Sequence, residues 1–337
     1  MPCRIPAAAA AALSLVAFAA LTPPAGAGPL TTRDGRCALW NGAETEARPG
    51  DRATWDGGCR DGLGEGFGIH DLTRTDGSRL RYIGPVRAGR WHGLGRLQHV
   101  APDGGLLQVV EGVFVDGAEQ GVFQELVFEH PQNVPLGALR PPGQPLGQTA
   151  VRIQQFYTDG AAVLMCAPGA DCVREAVAAG IEPRPPARSE APDRVLPSGG
   201  WRLERRPGDP AQRSYVCLDP SLGAPGQAPR VDALLFPSFS AWEPWLREGH
   251  RCEDLSISRQ GDELRWTSQC RHPDRAGYVQ ITLRRTVAGN AVRSRTDEAA
   301  VRDGREPVRR TRDVSASFVG ACRPDMARTP DADVITR

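Results

Sequence analysis

The sequence predicts a mainly β protein in two parts: an N-terminal single-layer sheet of stacked β-hairpin repeats, then an antiparallel β domain with disulfides and about seven strands. Three observations predict it. Glycines recur at a fixed spacing between residues 55 and 121, apolar and polar residues alternate beyond residue 200, and the cysteines are even in number after residue 27. Alternation with a period of two is the mark of half-buried strands.

A secretory signal peptide is predicted over residues 1–27. Arg4 supplies the charged start, residues 7–20 form an apolar run, and Ala25-Gly26-Ala27 is a small-residue cleavage site. We therefore predict a periplasmic or secreted mature protein, cleaved after Ala27. An uncleaved membrane anchor is the alternative, but the apolar run is shorter than the roughly 20 residues that a spanning helix needs.

Glycine-rich repeats follow the signal peptide. The glycines of "GCRDGLGEGFG", residues 58–68, recur 27 residues later and, more weakly, a further 28 residues later. The recurring positions are Trp55, Gly57, Gly62, Gly66 and Gly68, then Tyr82, Gly84, Gly89, Gly93 and Gly95, then Gly112, Gly117 and Gly121. A phosphate-binding loop would instead be a single glycine cluster opening a helix, so the repeat favours a packing role.

Each repeat is predicted to be one hairpin. An aromatic residue opens a short strand, Asp61-Gly62, Ala88-Gly89 or Asp116-Gly117 makes a tight turn with positive φ, and a second strand follows. Asp76-Gly77 and Asp103-Gly104 connect the units. Alternate glycines remove side chains from one face of the second strand. We therefore expect aromatic rings of the adjoining hairpin to lie on bare main chain there.

These residues resemble the membrane occupation and recognition nexus repeat. "YIGPVRAGRWHGLG", residues 82–95, is the nearest copy, residues 55–68 are close, and residues 110–123 lack the opening aromatic and one glycine. The preceding segment, with Cys37 and Cys59, looks like the cap of bacterial repeats of this kind. The resemblance implies an elongated sheet used for protein contact, self-association or contact with lipid headgroups, and it implies no catalysis.

The repeat sheet and its cap are assigned to residues 28–132, and the rest of the chain is divided by composition. Residues 133–181 are predicted to hold connecting strands around Asp159-Gly160 and a short helix. A proline-rich linker covers 182–199, the antiparallel β domain 200–325, and a flexible tail 326–337.

In the second domain, alternation is clearest at Val279, Ile281 and Leu283, and Gly289-Asn290 is a hairpin turn. The domain resembles a four-cysteine bacterial envelope family that has no assigned activity. The matching residues are Gly200-Trp201, Val216-Cys217-Leu218, the Cys252 to Cys270 hairpin and Gly320-Ala321-Cys322. This resemblance implies location and fold but no chemistry.

All eight cysteines of the mature chain are predicted to form disulfides, as is usual in an oxidising compartment. Nearest-neighbour spacing suggests Cys37 with Cys59 and Cys166 with Cys172. We favour Cys252 with Cys270, opposed across a hairpin centred on Gly261, and Cys217 with Cys322, tying the first and last strands together. That hairpin register puts Trp266 on the cysteine face and Ile257 on the other, so either both faces are covered or a bulge shifts one strand.

No catalytic, cofactor-binding or metal-binding residue is predicted. No C-x-x-C pair, paired histidine motif or G-x-S-x-G elbow is present, and the cysteines are committed to bridges. We expect the histidines at the surface; they are His70, His92, His99, His130, His250 and His272. The prediction is a non-enzymatic interaction or scaffold protein. The alternatives are an envelope hydrolase docked by the repeats and a lipid-binding module.

Two features of the second domain could mark a ligand site. Trp242 and Trp245 could line an apolar ligand groove, although a core position is the favoured interpretation. Residues 302–312 are rich in arginine, but acidic residues interleave and favour a solvated strand pair. The formal net charge of +1 argues against nucleic-acid binding. The expected partners are an envelope protein or a second copy, with lipid headgroups as a further option.

Overall fold

The computed structural model describes residues 29–40, 49–128, 150–166, 172–181, 197–205, 213–218, 236–237, 241–272, 274–302 and 305–329. These residues form two β-sheets, which confirms the mainly β prediction. The predicted signal peptide, residues 182–196 of the linker and the end of the tail from residue 330 lie outside the described residues.

The strands and helices, in chain order, are as follows. They are β1 (Leu30–Thr31), β2 (Ala38–Leu39), β3 (Arg52–Trp55), β4 (Gly58–Arg60), β5 (Leu63–Thr73), β6 (Arg79–Arg87), β7 (Arg90–Trp91), β8 (Gly93–Val100), β9 (Leu106–Val115), β10 (Ala118–Phe128), β11 (Ala150–Thr158), β12 (Ala161–Cys166), α1 (Cys172–Ala178), β13 (Gly199–Glu204), β14 (Arg213–Leu218), α2 (Glu243–Arg247), β15 (Arg251–Gln260), β16 (Glu263–Arg271), β17 (Tyr278–Ala288), β18 (Ala291–Val301), β19 (Val308–Gly320) and β20 (Ala327–Thr329).

The first sheet has twelve strands and follows the repeats. Its main order is β1-β2-β5-β6-β8-β9-β10-β11-β12, and β3, β4 and β7 pair beside this path. It does not end at residue 132 as predicted. β11 pairs with β10 from Phe128 opposite Ala150 to Gly121 opposite Tyr157, and β12 follows. The predicted connecting strands are therefore the last two strands of the repeat sheet.

The second sheet has eight strands in the order β15-β16-β17-β18-β19-β13-β14-β20. The first seven pair antiparallel, as predicted, and β20 joins parallel to β14 with Val216 opposite Ala327. β20 lies in the segment predicted as a flexible tail. Met326 is 5% exposed and packs against Gly200, so the tail prediction is wrong for residues 326–329.

The hairpin of β15 and β16 resolves the register question. Cys252 lies opposite Cys270, as predicted, and a bulge between Asp254 and Ser256 shifts the pairing. Ile257 is therefore opposite Trp266, and both side chains are buried. The bulge, not a second covered face, places the two apolar side chains in register.

All four predicted disulfides are present. Cys37–Cys59, Cys166–Cys172, Cys217–Cys322 and Cys252–Cys270 have Cα separations of 5.7, 5.3, 5.3 and 4.0 Å. Such bridges persist in oxidising compartments, so they are compatible with a location outside the cytoplasm. In the part of the chain that the structure describes, no helix is long and apolar enough to cross a membrane.

The two sheets pack against each other. One hydrophobic core contains Ile83 and Val109 from the first sheet together with Trp201, Trp266 and Ile281 from the second. The other face of the first sheet carries a separate cluster that includes Tyr82, Phe114 and Phe123. The sequence predicted two domains joined by a linker, but the shared core makes the repeat sheet one layer of a larger packed unit.

Candidate functional site

The repeat turns lie side by side along one border of the first sheet, where the successive hairpins reverse direction. In the turns Asp61-Gly62, Ala88-Gly89, Asp116-Gly117 and Asp159-Gly160, the first residue has φ between 47° and 53° and the glycine between 76° and 94°. The predicted positive φ is confirmed. The N–H groups of Gly89, Gly117 and Gly160 donate to the carbonyls of Gly64, Trp91 and Glu119, at 2.8, 2.8 and 3.0 Å. Each acceptor lies two residues after the previous turn glycine, so Asp159-Gly160 closes a fourth unit.

A second feature recurs in three units. In the second unit, the register between the two strands of the hairpin changes by two residues between Trp91 and Arg96. The register changes by the same amount after Glu65 in the first unit and after Gln120 in the third. A glycine with φ between 81° and 92° lies at each register change: Gly66, Gly93 and Gly121. These motif glycines therefore form bulges.

Aromatic rings lie on glycine main chain in the second and third units. A Cβ on Gly95 would stand 2.5 Å from the Tyr82 ring, and one on Gly84 would stand 2.6 Å from the Tyr82 hydroxyl. A Cβ on Gly112 would stand 2.6 Å from the Phe123 ring. The predicted contact of ring on bare backbone is confirmed at these glycines.

The prediction is wrong for residues 62–68, where it was first drawn. Gly66 has no atom within 4 Å of its Cβ position, and a Cβ on Gly68 would meet the Asp56 carboxylate. Asp56 Oδ1 accepts a hydrogen bond from the Ile69 N–H at 2.5 Å, so a carboxylate occupies the place of a ring. The Trp55 ring lies over Gly57 instead, and its Nε1 donates to the Gly58 carbonyl at 2.7 Å.

The third unit reverses the partners. Val110 replaces the opening aromatic, and Phe123 stands where the second unit has Gly95. The ring now projects from the second strand onto Gly112 of the first. The ring and the glycine have therefore exchanged strands in this unit. One ring still packs on one bare glycine of the neighbouring strand.

The rings join into a continuous ladder. Trp91 stacks on Tyr82 at 4.8 Å, and the contacts continue through Phe114 and Phe123 at 5.2 and 5.3 Å to Tyr157 at 5.0 Å. Edge-to-face and stacked pairs of this kind stabilise beyond their buried area. The ladder crosses six strands, so it holds the repeat units together.

His70 sits at the start of the ladder. It is 1% exposed, and its Nδ1 accepts a hydrogen bond from Trp91 Nε1 at 3.1 Å. Burial disfavours the charged imidazolium and lowers the pKa of His70 to about 4. The expectation of surface histidines is wrong here, and His92 is also buried.

The two ends of the first sheet differ. At one end, β1 and β2 are two residues each and the Cys37–Cys59 disulfide ties the segment to β4. At the other end stands β12, which has no partner on its outer side among the described strands. We call β12, residues Ala161–Cys166, the open edge. It contains no charged residue, and Val163 and Met165 are 45% and 52% exposed.

A buried ion pair joins the two sheets. Arg96 of β8 and Asp254 of β15 are both fully buried, and Arg96 Nη1 lies 3.0 and 3.1 Å from the two carboxylate oxygens. Arg96 also donates to Glu111 and to the Pro237 carbonyl, and Trp266 Nε1 donates to Asp254. Every charged group in this seam is therefore hydrogen-bonded, as burial requires.

The pKa of Asp254 is raised, because burial outweighs the opposing field of Arg96. Sequence reasoning missed this pair. The residues are 158 positions apart, and Arg96 is one of 41 basic residues in the chain. The only local sign was the bulge next to Asp254, which the sequence analysis gave as one of two alternatives for this hairpin.

The favoured core position is confirmed at Trp242, and the ligand groove is wrong there. Its ring is fully buried, its Nε1 donates to Ser268 Oγ at 2.9 Å, and the Arg96 guanidinium lies 4.5 Å from the ring centre. Trp245 packs at the margin of the same core, edge-on to His250 at 5.4 Å.

A cleft opens where the two sheets meet. It has a volume of about 140 Å³ and contains three arginines. We call it the arginine cleft and define it by Arg79, Gln98, Arg251, Glu253, Gln269 and Arg271. The arginine-rich run of residues 302–312 lies elsewhere: Arg309, Arg310 and Arg312 are exposed on β19, as the solvated-strand interpretation expected.

Comparisons with protein-family models, curated proteins and solved structures found no match to this chain. The resemblances to the repeat family and to the envelope family stay predictions. The recurrence of turns, bulges and ring contacts is a property of the structure itself.

Proposed function

We propose that the mature chain is a non-enzymatic interaction protein of the bacterial envelope, and that it associates with a second copy through the open edge. The observation that carries the proposal is the contrast between the ends of the first sheet. One end is blunted by two-residue strands, whereas the other presents the six-residue strand β12 with exposed apolar side chains. Each end carries one disulfide, Cys37–Cys59 and Cys166–Cys172.

The chemistry of the open edge favours a second copy as its occupant. An edge strand offers a row of backbone donors and acceptors, and natural edges are usually protected by charges or proline. Residues Ala161–Cys166 carry neither. Two copies can therefore pair antiparallel about a two-fold axis without repulsion between like charges. Val163 occupies a bulge in the pairing of β12 with β11, and both Val163 and Met165 are exposed, so both would be covered when a second copy pairs with this edge.

The blunted end limits the size of the assembly. A sheet with a long open strand at both ends could add copies without limit, but among the described strands the opposite end of this sheet is the two-residue strand β1. Pairing of β12 with β12 uses the same surface on both copies, so the assembly closes at two. The proposed product is a dimer with one continuous repeat sheet.

The proposed location rests on the sequence and the bridges. The signal-peptide pattern of residues 1–27 supports export, and four disulfides suit an oxidising compartment. The resemblance to repeats used in self-association supports the same function.

Sedimentation velocity of the mature chain tests the proposal. We expect a dimer for the parent protein and a monomer for Val163→Lys/Met165→Lys, because two copies would then place four ammonium groups at one strand pair. Val308→Lys is the matched control, since Val308 is 65% exposed on β19 of the other sheet, and it should remain dimeric. Circular dichroism would verify that all three proteins are folded.

A parent protein that stays monomeric at concentrations of about 100 μM would overturn the proposal, since even weak specific pairs associate in that range. A double lysine variant that dimerises as the parent does would also overturn it. Capture of a different envelope protein by a monomeric chain would replace the second copy with another occupant.

A further inference from the structure

The arginine cleft brings together charged groups from both sheets. Arg79 comes from β6 of the first sheet, and Arg251 and Arg271 come from β15 and β16 of the second. Its volume of about 140 Å³ is below the range of drug-sized sites and suits a group of a few heavy atoms.

The charges of the cleft do not balance. Glu253 lies 3.6 Å from Arg79, which accounts for one guanidinium. Arg251 and Arg271 lie directly opposite each other in the strand pair, and neither has an ion-pair partner among the described residues. Like charges directly opposite across antiparallel strands repel. An anion between them would turn that repulsion into attraction.

Arg271 is exposed, and two contacts orient its side chain. Its Nε donates to Gln269 Oε1 at 2.9 Å, and its guanidinium lies 5.1 Å from the centre of the Tyr278 ring. These contacts leave the terminal nitrogens to face another acceptor. An arginine held in this way loses little freedom when it binds an oxyanion.

Gln98 supplies an independent sign of a missing acceptor. This residue of β8 lines the cleft and is only 1% exposed, and its Nε2 has no hydrogen-bond partner. Buried side-chain donors in native proteins nearly always have a partner. Nε2 has almost no exposed surface, so an oxygen of a bound group would satisfy it once the amide turns toward the cleft.

We infer that the arginine cleft binds a phosphate-type oxyanion, with Arg251 and Arg271 as its charge partners and Gln98 as a neutral donor. The two unpaired guanidinium groups match the charge of a phosphate monoester, which is close to −2 near neutral pH. The forked geometry of arginine suits its oxygens. The group could belong to a free phosphate compound or to a phosphomonoester lipid headgroup.

Titration calorimetry with inorganic phosphate provides the first test. We expect one site per chain, and we expect Arg251→Gln/Arg271→Gln to weaken binding at least about tenfold, because two charge-assisted hydrogen-bonding partners are lost. Gln98→Met should weaken it less. Arg293→Gln is the matched control: it removes one exposed guanidinium of the same sheet, outside the cleft, and should leave the affinity unchanged.

Thermal unfolding separates loss of the site from loss of the fold. Without phosphate, Arg271→Gln should unfold at the same temperature as the parent or higher, because repulsion with Arg251 is relieved. With phosphate, the parent should gain stability and the variant should not.

Vesicles of phosphatidylcholine with phosphatidic acid distinguish the two sources. Co-sedimentation that depends on Arg251 and Arg271 would support a headgroup ligand, and binding of free phosphate alone would support a soluble one. Absence of binding in both arms would overturn the inference. Phosphate or vesicle binding that survives in the double variant would overturn it too, because the anion would then be held elsewhere.

Discussion

The twelve-stranded first sheet and the eight-stranded second sheet are stabilised in different ways. In the first sheet, neighbouring strands are fixed by repeated turns, bulges and rings on glycine, and the bridges Cys37–Cys59 and Cys166–Cys172 span only 22 and 6 positions. The second sheet has one short bridge, Cys252–Cys270, which spans 18 positions within a hairpin. It also has Cys217–Cys322, which spans 105 positions and ties β14 to the segment after β19. The repeat sheet therefore depends on contacts close in sequence, and the second sheet on contacts between its distant ends.

Loss of the Cys217–Cys322 bridge is expected to change the free energy of unfolding most, and it sharpens this comparison. Restriction of the unfolded chain by a bridge across about 100 residues contributes about 4.7 kcal/mol, whereas the same relation gives about 2 kcal/mol for a span of six. Cys217→Ala/Cys322→Ala should therefore lower the free energy of unfolding by roughly twice as much as Cys166→Ala/Cys172→Ala. Urea unfolding of the two variants measures the difference.

Equal losses from the two pairs of substitutions would contradict the comparison. The long bridge would then add nothing beyond a local link, and the second sheet would have to be held by its apolar core alone.

The next effect concerns pH and belongs to the repeat sheet. The pKa of His70 falls from 6.5 to about 4 on burial, so the unfolded chain binds a proton in a range where the folded chain does not. The stability tied to neutral His70 is complete above pH 6.5 and is lost as the pH falls from 6.5 to about 4. The loss amounts to about 3 kcal/mol.

His70→Leu should remove that part of the pH dependence. The free energy of unfolding of the variant should fall by about 3 kcal/mol less than that of the parent between neutral pH and pH 4. Urea titrations of both proteins across this range measure it. Parallel curves for the two proteins would mean that His70 already carries a proton in the folded state.

The smallest expected effect tests the rings on glycine. Gly95→Ala places a Cβ 2.5 Å from the Tyr82 ring, and overpacking of this kind costs about 1–3 kcal/mol. The penalty should shrink in a Tyr82→Leu background, because the smaller side chain leaves room. Gly289→Ala in the second sheet should cost a similar or smaller amount through its φ of 57° alone.

A Gly95→Ala penalty that is the same with tyrosine and with leucine at position 82 would argue against the ring contact. Gly95 is not among the glycines with positive φ, so the penalty would then come from a contact other than the Tyr82 ring.

Turns and residue pairs could be predicted where the interacting residues lie close together in the sequence. The Asp-Gly turns and the Cys252–Cys270 pair belong to single hairpins, so spacing alone located them. The ring at Gly68 was mispredicted because spacing does not reveal which side chain fills the space, and Asp56 fills it. Arg96 and Asp254 lie on different sheets, and no local pattern connects them.

The open edge and the arginine cleft were missed for related reasons. β12 was assigned to a connecting segment because it lacks the repeat glycines, although its Asp159-Gly160 turn follows the same pattern. The cleft needs Gln98 and Arg251 to meet across two sheets. Cavities between distant strands depend on packing that no single stretch of sequence encodes.

The central claim is that the two sheets form one unit joined through the Arg96–Asp254 seam. A double-mutant cycle with Arg96→Met and Asp254→Leu, read by hydrogen exchange in both sheets, tests it most directly. Arg96→Met should destabilise amides of both sheets by about 3–5 kcal/mol, because it leaves the buried Asp254 without its charge partner. Asp254→Leu should cost less, because Arg96 keeps its ion pair with Glu111, and the double variant should lose less than the sum of the two single changes. Destabilisation confined to one sheet, or single losses that simply add in the double variant, would contradict the claim.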